Sequence, residues 1–231
     1  MYAKCFKRGI DFTLSLIALV VLFPILLVLA VIGAVAMKGN PFFTQMRPGK
    51  ISKKTGKEKI FKLVKFRTMS NKKDKDGNLL PDDQRLNKYG RILRSTSLDE
   101  LPELWNILKG DMAIVGPRPQ LVRDMVFMSD AQRARHSVRP GLTGLAQVSG
   151  RNNITWEQKF EYDLQYIQKI TLFGDLKIIF QTVGKVFKRE DTVREGTVSD
   201  IDFGDWLLQN GAVEQSEYDE KQKEAKELLK A

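Results

Sequence analysis

Residues 12–37 run for 26 positions without a charge, and Pro24 stands in the middle of them. No other stretch limits the chain as much. About 20 apolar residues suffice for one membrane-spanning helix. A secretory signal fits poorly, because the run is too long and no small-residue cleavage site precedes the next basic residues. Pro24 divides the run into pieces of 12 and 13 residues, each about 18–20 Å at ~1.5 Å per residue, short of a ~30 Å hydrocarbon core. Proline removes one donor and crowds the preceding turn, which predicts a bend. Lys4, Lys7 and Arg8 precede the run, and Lys38, Arg47, Lys50, Lys53 and Lys54 follow it. Basic flanks favour the cytoplasmic side. A bent, re-entrant helix that enters and leaves by one leaflet satisfies both flanks, whereas a straight span satisfies one. A helix buried in a protein core is the third placement. Asp11, at the entry, pairs with Arg8 or caps the helix.

This segment belongs to a chain of 231 residues with a net charge of +10. The charge is uneven. Residues 199–231 hold nine Asp/Glu and four Lys, net −5, so residues 1–198 carry +15 by subtraction. So basic a body implies anionic partners: membrane lipid, a phosphorylated small molecule or nucleic acid. The basic residues show no aromatic interleaving and no groove-reading motif, which sets nucleic acid aside. Cys5 and His136 are the single cysteine and histidine. An intrachain disulfide is excluded and a Cys/His metal site nearly so, while a hard cation held by carboxylates stays open. The reducing side of a membrane is the natural address.

Beyond residue 39 the elements are short and mixed. "PFFTQM" and "IFKLVKF" read as strands around a polar hairpin tip, "KISKKTGKEK". Residues 86–95, 101–109 and 120–135 read as helices, with "MAIV" a short buried strand. "GLTGLAQVSGRN" is too rich in glycine for a helix and reads as strand and turn. Thr155 with Gln158 forms a capping-box signal for a helix reaching about residue 170. "LFGDLKIIFQTVGKVFKRE" is amphipathic and packs on the core or lies on lipid. The acidic end reads as an exposed helix or disorder. The expected fold is α+β and mostly helical, with a membrane-anchoring helix at 1–38, a cytosolic catalytic domain at 39–190 and an acidic extension at 191–231.

Chemistry concentrates in "SLDELPELWNILKGDMAIVGPRP", residues 97–119. Asp99 and Glu100 are adjacent carboxylates. One reading is capping, with Ser97 and Glu100 as a capping box. That register puts Pro102 at the fifth helical position, one beyond the four whose donors lack partners. With Asp99 as the cap, Pro102 falls third, where proline is tolerated, and the carboxylate sits at the positive helix end, which attracts phosphate. A carboxylate there can attack phosphorus or ligate Mg²⁺. Two carboxylates this close do not suit glycosidase chemistry, whose acids flank the scissile bond. Arg118 stands between Pro117 and Pro119, and Arg139 in "RPG" and Arg151 in "SGRN" also fall on turns. Arginine binds phosphate oxygens through a planar fork. Three such arginines beside an acidic pair and a membrane anchor point to diphosphate handled at a bilayer surface.

"KFRTM", "RSTSLDELPELWNILKGDMAIVGPRP", "RPGLTGLAQVSGRN" and "DLK" together resemble the bacterial sugar transferase family, the small monotopic phosphoglycosyl transferases, from residue 1 to about 189. The resemblance implies an enzyme of the bacterial cytoplasmic membrane, on its cytoplasmic face. It implies transfer of a sugar 1-phosphate from a UDP-sugar to undecaprenyl phosphate, with release of UMP. Asp99 falls on the family's nucleophile, forming a phosphosugar-aspartate and contacting Mg²⁺. Glu100 assists by positioning or proton transfer. Arg118 and Arg151 match phosphate-binding arginines, and Pro117–Pro119 form the turn near uridine. Arg94, Lys65 and Asp175 match positions that orient the site, and Pro24 matches the break of a re-entrant helix. Downstream glycosyltransferases are expected partners. Phe23 departs from the pattern, since relatives often place a serine before this proline, and the acidic extension has no counterpart. A non-catalytic membrane adaptor that binds anionic lipid or nucleotide is the alternative.

Overall fold

The computed structural model describes residues 1–150, 154–188 and 201–230. A π-helical turn at Tyr2–Phe6 leads into α1, Lys7–Ala36. Helix α1 runs through Pro24 without interruption, as one element of 30 residues. A lone interior proline withdraws one donor and leaves the ladders on either side intact, so the apolar flanks carry the helix through. By length and composition α1 is able to cross a membrane, and only 6% of its apolar window is buried.

Both ends of α1 are docked on the same body. Near the start, Arg8 donates to the carbonyls of Ile107 and Leu108 at 2.6 and 2.8 Å. Asp11 neither caps the helix nor pairs with Arg8; it accepts from the Ile114 amide at 3.1 Å. Midway, Ala18, Leu19 and Leu22 pack on Phe61, Leu63, Leu104, Ile107 and Met112. Near the end, Tyr89 donates to the Leu29 carbonyl at 2.8 Å and Asn87 to that of Ala36 at 3.2 Å. Gly33 permits this approach, since a Cβ there would lie 2.7 Å from the Tyr89 hydroxyl.

Strand β1, Phe42–Ile51, pairs antiparallel with β2, Glu58–Phe66, in the expected hairpin. Its tip is shorter than the polar insert, because both strands continue into it. After a single turn, α2 (Asp82–Arg85), comes α3, Lys88–Thr96, capped by Asn87, whose Oδ1 accepts from the Gly90 amide. Then follows α4, Glu103–Lys109. Asn106, fully buried on α4, accepts from the Val64 amide at 3.1 Å and donates to the Lys62 carbonyl at 2.8 Å. One amide side chain thus joins α4 to β2, meeting the rule that buried polar groups find partners.

Strand β3, Ala113–Val115, runs parallel to β4, Gly141–Thr143. The stretch 120–135 is not one helix. It splits into α5, Val122–Met125, and α6, Asp130–Arg133, because Ser129 with Gln132 forms a capping box that restarts the chain. "LAQVS", read as strand or turn, is a short helix, α7, Leu145–Ser149, between two glycines. Helix α8, Trp156–Gln168, opens on the expected Thr155–Gln158 capping box. Helix α9, Leu172–Lys188, buries Ile178 against Val115 and Tyr166 and exposes Phe173 and Phe180. Over 201–230 the acidic end is helical, as one of its two readings has it, and it is docked rather than free. It folds as α10, Phe203–Gln209, and α11, Gln215–Leu228. Phe203 packs with Met128, Trp156 and Phe160, and Ala225 with Val122, Met125 and Val126. A few apolar residues on one face suffice to dock an otherwise charged helix.

Candidate active site

The Pro117–Arg118–Pro119 turn leaves the end of β3, and each of its carbonyls is held. The Gly141 amide donates to the Pro117 carbonyl at 2.9 Å. Arg135, itself buried and paired with Asp163, donates to the Arg118 carbonyl at 2.7 Å. Arg47, on β1, donates to the Pro119 carbonyl at 3.1 Å. Glycine is needed where β3 and β4 meet, because a Cβ on Gly141 would lie 2.1 Å from the Gly116 nitrogen. Two prolines restrict the turn locally and three distant donors hold it, so the Arg118 side chain leaves a rigid base.

The acidic pair faces this turn. Asp99 and Glu100 lie on a single 3₁₀ turn, Leu98–Glu100, between α3 and α4. Neither capping register forms. Ser97 makes no capping bond here, and Pro102 precedes the first residue of α4 as its cap. Ser97 adopts φ +54°, a left-handed conformation uncommon outside glycine, which turns the chain sharply just before Asp99.

Glu100 Oε1 accepts from Arg118 at 2.6 Å and from Lys65 of β2 at 2.8 Å. Lys65 also lies 3.0 Å from Glu103, whose side chain is 2% exposed. Burial opposes ionisation of Glu100, but the charges and hydrogen bonds of Arg118 and Lys65 prevail and hold its carboxyl far below the usual range. Burial pushes Glu103 up to about 7, an effect Lys65 only partly offsets. Glu100 in turn raises Arg118 above the usual guanidinium value. Asp99 stands apart: it makes no hydrogen bond or ion pair among the described residues. Burial and the Glu100 charge push its carboxyl up to about 6, against the pull of Lys65, Arg94 and Arg118. It is therefore ionised at neutral pH, with lone pairs not taken up by donors.

Asp99 opens onto a cavity of about 860 Å³, within the ~300–1,000 Å³ range of small-molecule sites. Lys65, Arg94, Arg118 and Pro119 line it with Asp99 and Glu100, as do Arg47, Arg67 and Arg85. Arginine and lysine side chains so clustered have the chemistry to bind phosphate oxygens, and they stand beside a carboxylate that accepts no hydrogen bond among the described residues. Among the described residues no group of three His, Cys, Asp or Glu forms a metal cage.

Other candidates lie elsewhere. Asp175 does not line the cavity: buried on α9, it accepts from Tyr2, Lys7 and Tyr166 at 2.8, 2.5 and 2.9 Å, joining the amino terminus to the body. Arg139 donates to the Gly110 carbonyl at 2.7 Å and does not line the cavity. Pro117 is buried behind the turn. Arg151 lies outside the described residues. Sequence reasoning missed Glu103 as a third carboxylate, although its i+3 spacing from Glu100 was a visible signal. It also missed Arg47 as a wall residue, and Trp156, Ile201 and Asp202, whose place in the wall depends on long-range packing.

A second, apolar cavity of about 330 Å³ opens beside the first, lined by Leu98, Leu101, Ile114, Leu142 and Ile179. The two share Ser97, Glu100 and Gln147.

A family model described as bacterial sugar transferase matches residues 2–189. EpsL of Bacillus subtilis, named as an uncharacterised sugar transferase, is 49% identical over 166 residues, 71% of this chain and 79% of that protein. A UDP-glucose:undecaprenyl-phosphate glucose-1-phosphate transferase of Klebsiella pneumoniae is 41% identical over 192 residues, 79% of this chain but 40% of that protein. The exopolysaccharide production protein ExoY of Sinorhizobium fredii is 34% identical over 197 residues, 78% of this chain and 84% of that protein.

Proposed function

Because the chain belongs to the bacterial sugar transferase family, we propose that it moves a sugar 1-phosphate from a UDP-sugar to undecaprenyl phosphate through a covalent intermediate on Asp99. The observation that carries this reading is the Asp99 carboxylate, ionised at neutral pH and without a hydrogen bond among the described residues, in a cation-lined cavity. In the first step an Asp99 oxygen bonds to the phosphorus that carries the sugar. The bond from that phosphorus to the bridging oxygen breaks, and UMP leaves with the electron pair. In the second step a phosphate oxygen of the lipid carrier bonds to the same phosphorus, and the bond to Asp99 breaks, restoring the carboxylate. Attacking and leaving oxygens are anionic throughout, so no general base is required.

The surrounding residues supply position and countercharge. Arg118, on its fixed turn, and Arg94 and Lys65 neutralise the phosphoryl oxygens. Glu100 is committed to Arg118 and Lys65, which makes it a positioning group that orients two cations. Mg²⁺ fits at Asp99, since this ion is commonly held by one or two carboxylates together with substrate phosphate oxygens. When bound, it would lower the charge on the transferred group.

The membrane placement follows the same reading: a re-entrant α1 on the cytoplasmic face. What supports it is that the body contacts α1 at Arg8, at Leu19 and at Ala36, which leaves no free end to cross to the far side. The outward faces of α1 and α9, with Val20, Phe23, Val35, Phe173 and Phe180 exposed, offer the apolar surface for one leaflet. The apolar cavity beside Glu100 gives the isoprenoid chain a path to the reacting phosphate. The lipid-linked product would then feed the glycosyltransferases that act next.

The test compares wild type with Asp99→Asn across a panel of radiolabelled UDP-sugars. Wild type without acceptor should show a sugar-phosphate adduct by intact mass and release UMP. The variant should bind the donor and do neither. UMP release by the variant equal to that of wild type sinks the scheme.

A further inference from the structure

The matched family residues end at 189, yet two residues beyond that point, Ile201 and Asp202, line the cavity that holds Asp99. They are carried by a docked unit. Asp124, 1% exposed at the start of α5, accepts from the amides of Phe203 and Gly204 at 2.9 and 3.4 Å. Arg123 bridges Asp202 at 3.3 Å and Asp205 at 2.7 Å and donates to Tyr218 of α11 at 2.9 Å. Phe203 packs on Trp156 and Phe160, ring centroids 5.2 and 5.0 Å apart, and Trp156 is itself a residue of the cavity wall. A Cβ on Gly204 would lie 2.6 Å from the Phe127 ring, so α10 approaches closely.

Charge is ordered along the cavity. Asp99 feels Glu100, Lys65, Arg94 and Arg118, whereas Asp202 feels Arg123, Asp205 and Arg47. Arg47, in the same wall, feels the charges of Arg118, Asp124, Glu103 and Asp202. The end around Asp99 is cationic, and the end built by residues 201–202 carries carboxylates, an indole and an aliphatic side chain. A nucleotide sugar has a matching pattern: an anionic diphosphate flanked by two neutral, hydroxyl-rich halves. With the diphosphate on the cations, one neutral half lies toward Asp202. A carboxylate accepts hydrogen bonds from adjacent hydroxyls, and an aliphatic side chain and an indole cover the apolar face of a ring.

We propose that the C-terminal helical unit completes the donor cavity, with Asp202 accepting hydrogen bonds from vicinal hydroxyls of the donor and Ile201 packing beside them. This rests on the transferase reading above. The vicinal hydroxyls belong to the ribose or to the transferred sugar, and a binding experiment distinguishes the two. Full-length Asp99→Asn protein in lipid nanodiscs is titrated calorimetrically with UMP, UDP and UDP-glucose, then again carrying Asp202→Ala, Ile201→Ala or Arg123→Gln. Asp202→Ala is expected to weaken binding at least tenfold, the scale of a hydrogen bond to a charged group. Ile201→Ala should weaken it severalfold. Loss with all three ligands assigns the hydroxyls to the ribose, and loss with UDP-glucose alone to the sugar. Arg123→Gln removes the ion pairs to Asp202 and Asp205 but keeps the Asp202 carboxylate, while Asp124 and the packing of Phe203 on Trp156 and Phe160 still hold the unit, so it should leave affinity within twofold. In the otherwise native enzyme, Asp202→Ala should raise the donor KM and leave kcat unchanged. The proposal is overturned if Asp202→Ala binds all three ligands as its parent does. It is equally overturned if Arg123→Gln loses as much affinity, because Asp202 then only anchors the unit. Failure of the parent to bind any nucleotide would instead sink the transferase reading.

Discussion

Lys65→Met takes one buried cation from between two carboxylates, and its consequences separate charge from packing. Nζ lies 2.8 Å from Glu100 and 3.0 Å from Glu103, with 16% of the side chain exposed. Stripping one partner from a buried ion pair costs about 3–5 kcal/mol. Here Glu100 keeps Arg118 at 2.6 Å, and Glu103, already pushed up to about 7, takes up a proton. The loss therefore falls at the lower end, ~3 kcal/mol, or roughly 6–12 °C in Tm for a chain of this size. The effect on Asp99 is independent of that loss. Lys65 is the largest of the charges that pull the Asp99 carboxyl down, and it sits at about 6 with Lys65 in place. A neighbouring opposite charge is worth about 1–3 pKa units, so the variant's Asp99 titrates ~1 unit higher or more. Attack requires the ionised carboxylate, so the acid limb of kcat/KM, near pH 6 in wild type, moves to about pH 7. At pH 6 the variant should be down about fivefold from this cause alone, recovering by pH 9. The assay is the initial rate of UMP release at donor concentrations well below KM, from pH 5.5 to 9.5. A limb that stays at the wild-type pH, with activity lowered by one constant factor, would refute a charge coupling between Lys65 and Asp99.

Three further perturbations probe the supports of the site. Arg8→Ala removes two charge-assisted bonds to the last carbonyls of α4, and should cost ~3 kcal/mol and speed hydrogen exchange at the start of α1. An unchanged Tm would show that this end of α1 is held by packing alone. Gly33→Ala places a Cβ 2.7 Å from the Tyr89 hydroxyl, so it should cost ~1–3 kcal/mol by overpacking and unprotect α3, measured by exchange mass spectrometry. Wild-type protection in α3 would contradict the close approach. Glu103→Gln keeps shape and removes a titration. Burial holds the folded carboxyl above its ordinary 4.5, so the folded state binds the extra proton and wild type loses stability as pH rises from about 4.5 to 7. The glutamine variant escapes that loss. Its Tm should exceed that of wild type at pH 8 and converge with it near pH 4.5, and an equal gap at both pH values would rule out the buried titration.

The groups of the candidate site were legible where their placement is local. "DEL" and "PRP" place their charged groups within a few residues of a proline, so the sequence shows both the groups and the rigidity that presents them. The hairpin and the α8 capping box were legible for the same reason. Residues with the same local signals but distant partners were not. The Arg118 turn depends on Arg47 and Arg135, whose roles arise only when β1 and residues 134–137 fold against it. Arg139 sits on a proline turn as Arg118 does, yet its fork is spent on the Gly110 carbonyl. The acidic end reads as an exposed helix or disorder, and its docking goes unseen in the sequence because the few apolar side chains that fix it are spread over α10 and α11 and meet a partner surface on α5 and α8.

Asp99 and Asp175 show what decides between these uses. Both are aspartates beside helix starts in amphipathic stretches, and both become shielded from solvent. Asp175 accepts hydrogen bonds from two tyrosines and a lysine, so its lone pairs are occupied and moving it would strand three donors. That makes it a joint between α9 and the amino terminus, and a poor nucleophile. Asp99 has three cations near enough to favour its charge but accepts no hydrogen bond among the described residues, because Glu100 has taken up Lys65 and Arg118. Its charge is stabilised while its lone pairs stay open. On the proposed mechanism the neighbouring glutamate keeps the aspartate open to attack, and replacing Glu100 by a neutral residue is expected to release Lys65 and Arg118 from it and raise their competition for the Asp99 lone pairs.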